Sequence, residues 1–378
     1  MSEDTCVVAP TVRNPGFLRE YVANAREHGH ADRLHVCLVT EGFCDTAAMR
    51  AMLDDLDVSG RVFAGADRER WFRERGLSEY ADLVPAESHA QTSFGLLYLW
   101  ANDFEYGVFL DDDTRPHPAG DFFGGHYRNL DRDGTVETRG SDTRWVNVLD
   151  GVADLYPRGY PYGAMDERTT RESAPTSEVV ASQGLWTGVP DLDAVRILAD
   201  GDTRGRSSVR LRREDYGDPL FAVAPGHYTT ICSMNLAFRR EVVPAFYQLP
   251  MDDNPWGVGR FDDIWSGVLL KRAADALGKT LLTGTPLCVH EKAPRSTFGD
   301  LRAEAPALEL NEHLWRIVDD AGDGAETFRE VARATAGALR QADPGLDNDD
   351  FLPYVADRVD RWVDCVAALD RTRVSADD

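Results

Sequence analysis

Tyr106-Gly107-Val108-Phe109-Leu110 is an uninterrupted apolar run that ends abruptly in Asp111-Asp112-Asp113. A short run of this kind suits a strand buried on both faces, and such strands belong to sheets covered by helices. Working outward, the same signal recurs upstream. Cys6-Val7-Val8-Ala9-Pro10 and Leu34–Val39 read as strands, and Arg61-Val62-Phe63 as a third. Helical spacing falls between them, over Phe17–His28, Ala47–Leu56 and Ser93–Asn102. Strands that alternate with helices imply parallel pairing and a three-layer α/β sheet. Ligands of open α/β sheets bind beyond the carboxyl ends of the strands. Pro10-Thr11, Thr40-Glu41 and the aspartate triplet all fall at such ends.

Downstream, residues 140–300 mix short strands with loops rich in Gly, Pro and aromatics. Ser182–Trp186 and Cys232–Phe238 read as strands or turns, and Thr169–Ser177 and Gly201–Ser208 as exposed loops. Arg260–Leu277 is expected to be a helix, because Ile264, Val268, Leu269, Ala273 and Leu277 recur at helical spacing. Beyond residue 300 the pattern stays helical, with Val355, Val359, Trp362, Val363 and Val366 as one packing stripe.

Composition narrows the function. The chain has 378 residues, 43% of them hydrophobic, enough for a large core. Sixty-five acids against 41 bases give a net charge of −24, and beyond Lys271, Lys279 and Lys292 the other 38 bases are arginines. A phosphate backbone is bound through basic side chains, so nucleic acid is excluded as the expected partner. The acidic, lysine-poor balance points to a halophilic protein, whose self-repulsion is screened at about 1 M salt, where the Debye length is ~3 Å. No apolar run reaches the ~20 residues of a membrane span, and Met1-Ser2-Glu3-Asp4 carries no basic stretch, so a cytoplasmic chain is expected. The six cysteines form no CxxC or zinc spacing and read as reduced.

Several constellations could carry chemistry. Three carboxylates at a strand end repel one another unless a cation joins them. A divalent metal bridging to a diphosphate would supply it, with Asp111 and Asp113 facing the ion and Asp112 turned elsewhere; a solvated acidic turn is the plainer account. Gly259-Arg260-Phe261-Asp262-Asp263-Ile264-Trp265 opens a helix. Acids there stabilise a helix start, and together with an indole they also suit sugar hydroxyls. His290 ends an apolar strand and is structural unless the fold brings it to the triplet. Arg158, in Tyr156–Tyr162, is either a diphosphate clamp or a cation packed between tyrosines. Gln183 and Asn235 are candidate hydroxyl binders.

In this order, these segments resemble the reversibly glycosylated polypeptide family, also called UDP-arabinopyranose mutases or alpha-1,4-glucan-protein synthases. The resemblance rests on Pro10–Asn14, Phe109–Asp113, Arg158–Tyr162, Gly184–Trp186, Val189–Ala194, Met234–Phe238, Gly259–Gly267 and Thr283–Pro286 with the His290 segment. It implies a glycosyltransferase A-type, Rossmann-like mixed sheet flanked by helices over residues 1–300, with 301–378 a helical C-terminal region. It further implies a UDP-sugar ligand and a Mn²⁺ or Mg²⁺ ion held by Asp111, Asp113 and His290. Thr11, Arg13, Glu41 and Asp112 become nucleotide contacts, and Pro10, Trp186, Asn235 and Arg260 join the nucleotide-sugar set. Arg158 matches the arginine at the family's reversible glycosylation site, and Asp262 and Asp263 match its helix-opening acid pair. A guanidinium with a pKa above about 12 is a poor nucleophile, so positioning suits Arg158, and Asp262 or Asp263 the role of base or nucleophile. The expected activity is that of a UDP-sugar mutase or self-glycosylating enzyme, with homo- or hetero-oligomers possible for the family. An inverting transferase to a lipid or glycan acceptor and a non-catalytic scaffold subunit are the alternatives.

Overall fold

The apolar runs that end in polar residues form strands in the computed structural model, which describes residues 3–152, 155–217, 219–251 and 254–377, with side chains through residue 372. The first third alternates as its periodicity dictates. It runs β1 (Thr5–Pro10), α1 (Leu18–Glu27), β2 (Leu34–Val39), α2 (Thr46–Asp55), β3 (Ser59–Phe63), α3 (Gly65–Glu74), α4 (Ser93–Ala101) and β4 (Tyr106–Leu110). The middle adds β5 (Thr114–Pro116), α5 (Phe122–Leu130), β6 (Thr135–Ser141), β7 (Thr169–Pro175), β8 (Val179–Gly188) and α6 (Ala194–Asp200). It continues through the single turn α7 (Arg213–Tyr216), β9 (Leu220–Val223), β10 (Asn235–Arg239), α8 (Asp262–Ala276) and β11 (Thr280–His290). Three helices close the chain: α9 (Thr297–Val318), α10 (Phe328–Gln341) and α11 (Phe351–Asp377).

All strands join one mixed sheet in the order β3-β2-β1-β4-β10-β8-β11-β9-β6-β7, with β5 laid against β11. β1 to β4 are mutually parallel where they pair, and β10 enters antiparallel to β4. Alternation along β1 sends Cys6 and Val8 to one apolar cluster and Val7 and Ala9 to another, one on each face of the sheet. The sheet is therefore covered on both sides. The final helices share the cluster of Cys6 and Val8: Leu310, Leu339, Val355, Val359, Trp362, Val363 and Val366 all belong to it. Burying a large apolar side chain contributes about 1.5–3 kcal/mol, so this stripe is a packing face.

One expected loop is a strand. Residues from Thr169 pair with β6 in continuous antiparallel register, from Ser141↔Thr169 to Thr135↔Pro175. β7 is an edge strand with mostly exposed side chains, so no apolar alternation marks it; backbone pairing and the Arg171–Asp150 ion pair hold it. Pro175 ends it, where a missing N–H costs an edge strand little. Among the described residues, no helix is long and apolar enough to cross a membrane.

Candidate active site

The carboxyl ends of β1, β2 and β4 lie side by side, as the β1–β2 and β1–β4 registers require. Beyond them is a cavity of about 360 Å³. Its lining gathers Asp111, Asp113, His290, Arg158, Arg260, Asp262 and Asp263. It also holds residues that sequence reasoning did not single out: Glu87, Ser88, His89, Asp191, Lys292 and Arg295.

The first wall is the triplet. The segment after β4 turns at once, with Thr114 N donating to Asp111 O at 3.2 Å, so a turn rather than an extended segment divides its side chains. Asp111 and Asp113 face the cavity. Asp112 accepts from Thr11 Oγ1 at 2.8 Å and pairs with Arg13 Nη1 at 3.4 Å. Burial raises the Asp112 pKa, and the Thr11 bond and Arg13 oppose it. Pro10 and Glu41 sit half-buried beside this group at the ends of β1 and β2.

Strand pairing delivers His290 to the triplet, because β5 runs antiparallel to β11 with Thr114 opposite His290. Its Nε2 lies 3.8 Å from Asp113 Oδ1. Its Nδ1 is 2.7 Å from Val189 O, a group that only accepts, so Nδ1 carries a proton and, in the neutral ring, Nε2 offers the lone pair. A backbone carbonyl that fixes the tautomer in this way is the usual second partner of a metal-binding histidine. Among the described residues, no three His, Cys, Asp or Glu side chains stand close enough together to hold a metal ion as they are placed. The donor types, two carboxylates and one imidazole lining one cavity, are nevertheless ones that suit a divalent ion.

The opposite wall is internally neutralised. Arg158 Nε donates to Asp191 Oδ2 at 2.9 Å and Nη2 to Asp263 Oδ2 at 3.1 Å, while Nη1 donates to Arg260 O. All three nitrogens are engaged. Burial opposes the charge on Arg158, but Asp191 and Asp263 outweigh it and raise its pKa well above the usual arginine value. Asp191 is buried too, yet Arg158 and Lys292 hold its carboxyl far below the usual range. Lys292 Nζ approaches Asp191 Oδ1 at 3.3 Å.

Asp262 and Asp263 are the first residues of α8. Asp263 Oδ1 accepts from Ile264 N at 2.9 Å, and burial, opposed by Arg158, raises its pKa. Asp262 goes the other way: burial would raise it, but His89, with Nδ1 2.7 Å from Asp262 Oδ2, keeps it low and ionised. His89 also reaches Asp111 Oδ1 at 3.4 Å and so bridges the two walls. Desolvation works against its charge, but Asp262 and Asp111 prevail and raise its pKa well above the usual value. Arg260 (φ +63°) and Lys292 (φ +45°) both take the left-handed backbone region, which costs a side-chain-bearing residue about 1–2 kcal/mol. Such strain collects at functional sites.

Four expected sugar contacts lie elsewhere. Trp186 is 1% exposed, inside the central strand β8, with its indole in the core. Asn235 is fully buried: its amide donates to Leu185 O and Pro286 O, and its oxygen lies 2.9 Å from His126 Nε2. Trp265 is also fully buried and packs near Phe351. Gln183 donates to Thr230 O inside the sheet. The cation between tyrosines is Arg196, 5.1 Å from the ring centres of both Tyr156 and Tyr162, and not Arg158.

The sequence profile of the family described as "RGP: Reversibly glycosylated polypeptide" matches residues 147–369, more than half of the chain. The chain belongs to the reversibly glycosylated polypeptide family. It is 29% identical over 379 residues to UDP-arabinopyranose mutase 1 of Arabidopsis thaliana, spanning 96% of this chain and 92% of that one. It is 27% identical over 386 residues to UDP-arabinopyranose mutase 1 of Oryza sativa subsp. japonica, spanning 99% and 93%. Among solved structures, mannosyltransferase PcManGT from Pyrobaculum calidifontis in complex with GDP-Man and Mn²⁺ aligns over 99% of this chain and 87% of its own, at 15% identity and a TM-score of 0.38. A likeness that slight carries nothing about ligand or mechanism.

Proposed function

We propose that this member of the reversibly glycosylated polypeptide family is a metal-dependent UDP-sugar enzyme of the mutase or self-glycosylating type. The observation that carries the reading is one cavity with two unlike walls. One presents Asp111, Asp113 and the bare Nε2 of His290; the other holds Arg158 between Asp191 and Asp263. Relatives that align over nearly the whole chain are named UDP-arabinopyranose mutases.

On this reading Asp111, Asp113 and His290 would hold a Mn²⁺ or Mg²⁺ ion, which would supply charge stabilisation for a diphosphate leaving group. Lys292 and Arg295 add hydrogen-bond donors on the same strand-end loop, so diphosphate binding overcomes the field of a chain with charge −24. Thr11, Arg13, Glu41 and Asp112 take the nucleoside end. Arg158 positions the sugar and leaving group and keeps its proton. Asp262, ionised and cavity-facing, stabilises or captures positive charge at the anomeric carbon, and Asp263 anchors Arg158.

The test is incubation in molar KCl with Mn²⁺ and a panel of UDP-sugars, followed by analysis of the nucleotide sugar and of intact protein mass. Interconversion of a UDP-sugar, or sugar carried on the protein, is expected. A sugar mapped to Arg158 would overturn the assignment of Asp262. Turnover only in the presence of a lipid or glycan acceptor would replace the mutase reading with a transferase, and neither conversion nor labelling would end both.

A further inference from the structure

We infer that helix α9 is a clamp that sets the attitude of the Arg158 guanidinium, with Glu304, Asn311 and Glu312 as positioning residues; its kinetic consequence rests on the UDP-sugar reading above. Arg158 stands on an irregular turn, Pro157–Pro161, whose Gly159 takes φ +86° with Ile264 packed against it. A turn of that kind does not fix a guanidinium by itself. Asn311, 2% exposed, donates Nδ2 to Gly159 O at 2.9 Å. The two oxygens of Glu312 accept from Tyr162 N at 2.6 Å and Gly163 N at 2.9 Å.

Glu304, 1% exposed, completes the clamp. Oε2 accepts from Ala194 N at 2.7 Å, at the start of the segment that follows Asp191, and Oε1 accepts from Arg260 Nε at 2.9 Å. The carbonyl of Arg260 is in turn the acceptor for Arg158 Nη1. Glu304 thus holds Arg260, whose carbonyl orients Arg158, and the backbone of Ala194, three residues beyond Asp191. The three residues stand seven and eight positions apart, two turns along one helix face. None lines the cavity. A carboxylate buried as deeply as Glu304 is costly without partners, and both of its oxygens are spent on this loop system.

The test compares Asn311→Ala, Glu312→Ala and Glu304→Gln with the wild-type full chain in molar KCl. Hydrogen exchange is followed over residues 157–165, and steady-state kinetics are measured with Mn²⁺ and the UDP-sugar that the wild type converts. Losing these hydrogen bonds is expected to speed exchange over 157–165, and at Ala194 as well in Glu304→Gln, and to lower kcat by about tenfold in each variant, with KM within about twofold and exchange elsewhere unchanged. In an Arg158→Lys background the kcat loss should vanish, because the clamp acts only through that guanidinium. Unchanged exchange at 157–165, exchange rising throughout the chain, or an undiminished kcat loss beside Lys at 158 would each overturn the clamp. Should Glu304→Gln fail to fold, the two variants nearer the turn decide the matter. A wild type that converts no UDP-sugar defeats the functional reading alone, and the exchange experiment still decides the clamp.

Discussion

The two walls of the cavity hold carboxylates under opposite conditions. Asp191 and Asp263 are neutralised from within by Arg158 and Lys292, at exposures under one tenth. Asp111 and Asp113 have thinner company: Asp111 shares the charged His89, 3.4 Å away, with Asp262, and Asp113 has the N–H of Ala293 and the Nε2 edge of His290. The difference teaches where the solute comes in. A finished ion pair is a fixed part; an unfinished one is an invitation to a cation.

The sharpest way to break this contrast is Asp113→Asn. It removes a donor from the unfinished wall and relieves repulsion in the apo chain, so the fold is expected to survive. Turnover of a UDP-sugar should fall by about 10⁴-fold, the scale of losing charge stabilisation at a leaving diphosphate. Calorimetry should show Mn²⁺ uptake lost with it. Full activity in this variant would mean that both walls are structural.

Asp191→Asn is the matching change on the finished wall, and its effect should appear in stability first. Breaking a buried pair from one side leaves Arg158 and Lys292 short of countercharge, which costs about 3–5 kcal/mol. Urea unfolding in molar KCl measures it. A loss below 1 kcal/mol would show that this wall, too, draws its neutralisation from the solvent.

Much of this arrangement is legible in the sequence alone, and what is not has a common cause. Strands β1, β2 and β4 and helix α8 announce themselves because burial on both faces demands unbroken apolar runs or helical spacing. His290 could be placed only conditionally, since the β5–β11 pairing that brings it to the triplet leaves no local signature. His89, opening a short 3-10 turn, and Asp191, in a loop, escape notice because only topology supplies their partners. The one available hint was Pro190-Asp191-Leu192-Asp193-Ala194, where Asp193 caps α6. Trp186, Trp265 and Asn235 misled in the other direction: residue types that suit sugars also suit a core, and burial alone separates the two. β7 had no apolar side to show.

Acid is expected to act on a buried histidine away from the cavity before it reaches the finished wall. His126, fully buried between Ser182 Oγ at 3.0 Å and Asn235 Oδ1 at 2.9 Å, has its pKa lowered by burial to about 4. An unfolded histidine titrates near 6.5. The unfolded chain therefore binds the extra proton between those values, and stability falls as pH drops from about 6.5 to about 4, by roughly 3 kcal/mol from this group, then levels. Asp191, held far lower, stays ionised throughout that window. His126→Gln should flatten the slope of urea stability against pH between 6.5 and 4. An unaltered slope would assign the acid response to the carboxylates and blur the contrast between the walls.

The smallest expected effect carries the comparison to the surface. Arg340 Nη2 pairs with Asp357 at 2.8 Å and Asp360 at 2.7 Å between α10 and α11, with its side chain 43% exposed. Such pairs contribute about 0–1 kcal/mol. With 24 uncompensated negative charges on the chain, the melting temperature is expected to rise with KCl. Arg340→Ala should lower it slightly in dilute buffer and not at all at about 1 M KCl, where the Debye length is ~3 Å. Dissolved cations then do for the exposed carboxylates what Arg158 does for Asp191. If the variant lost the same stability at both salt concentrations, surface pairs would be as self-sufficient as the buried wall, and an unfinished carboxylate would no longer single out the triplet.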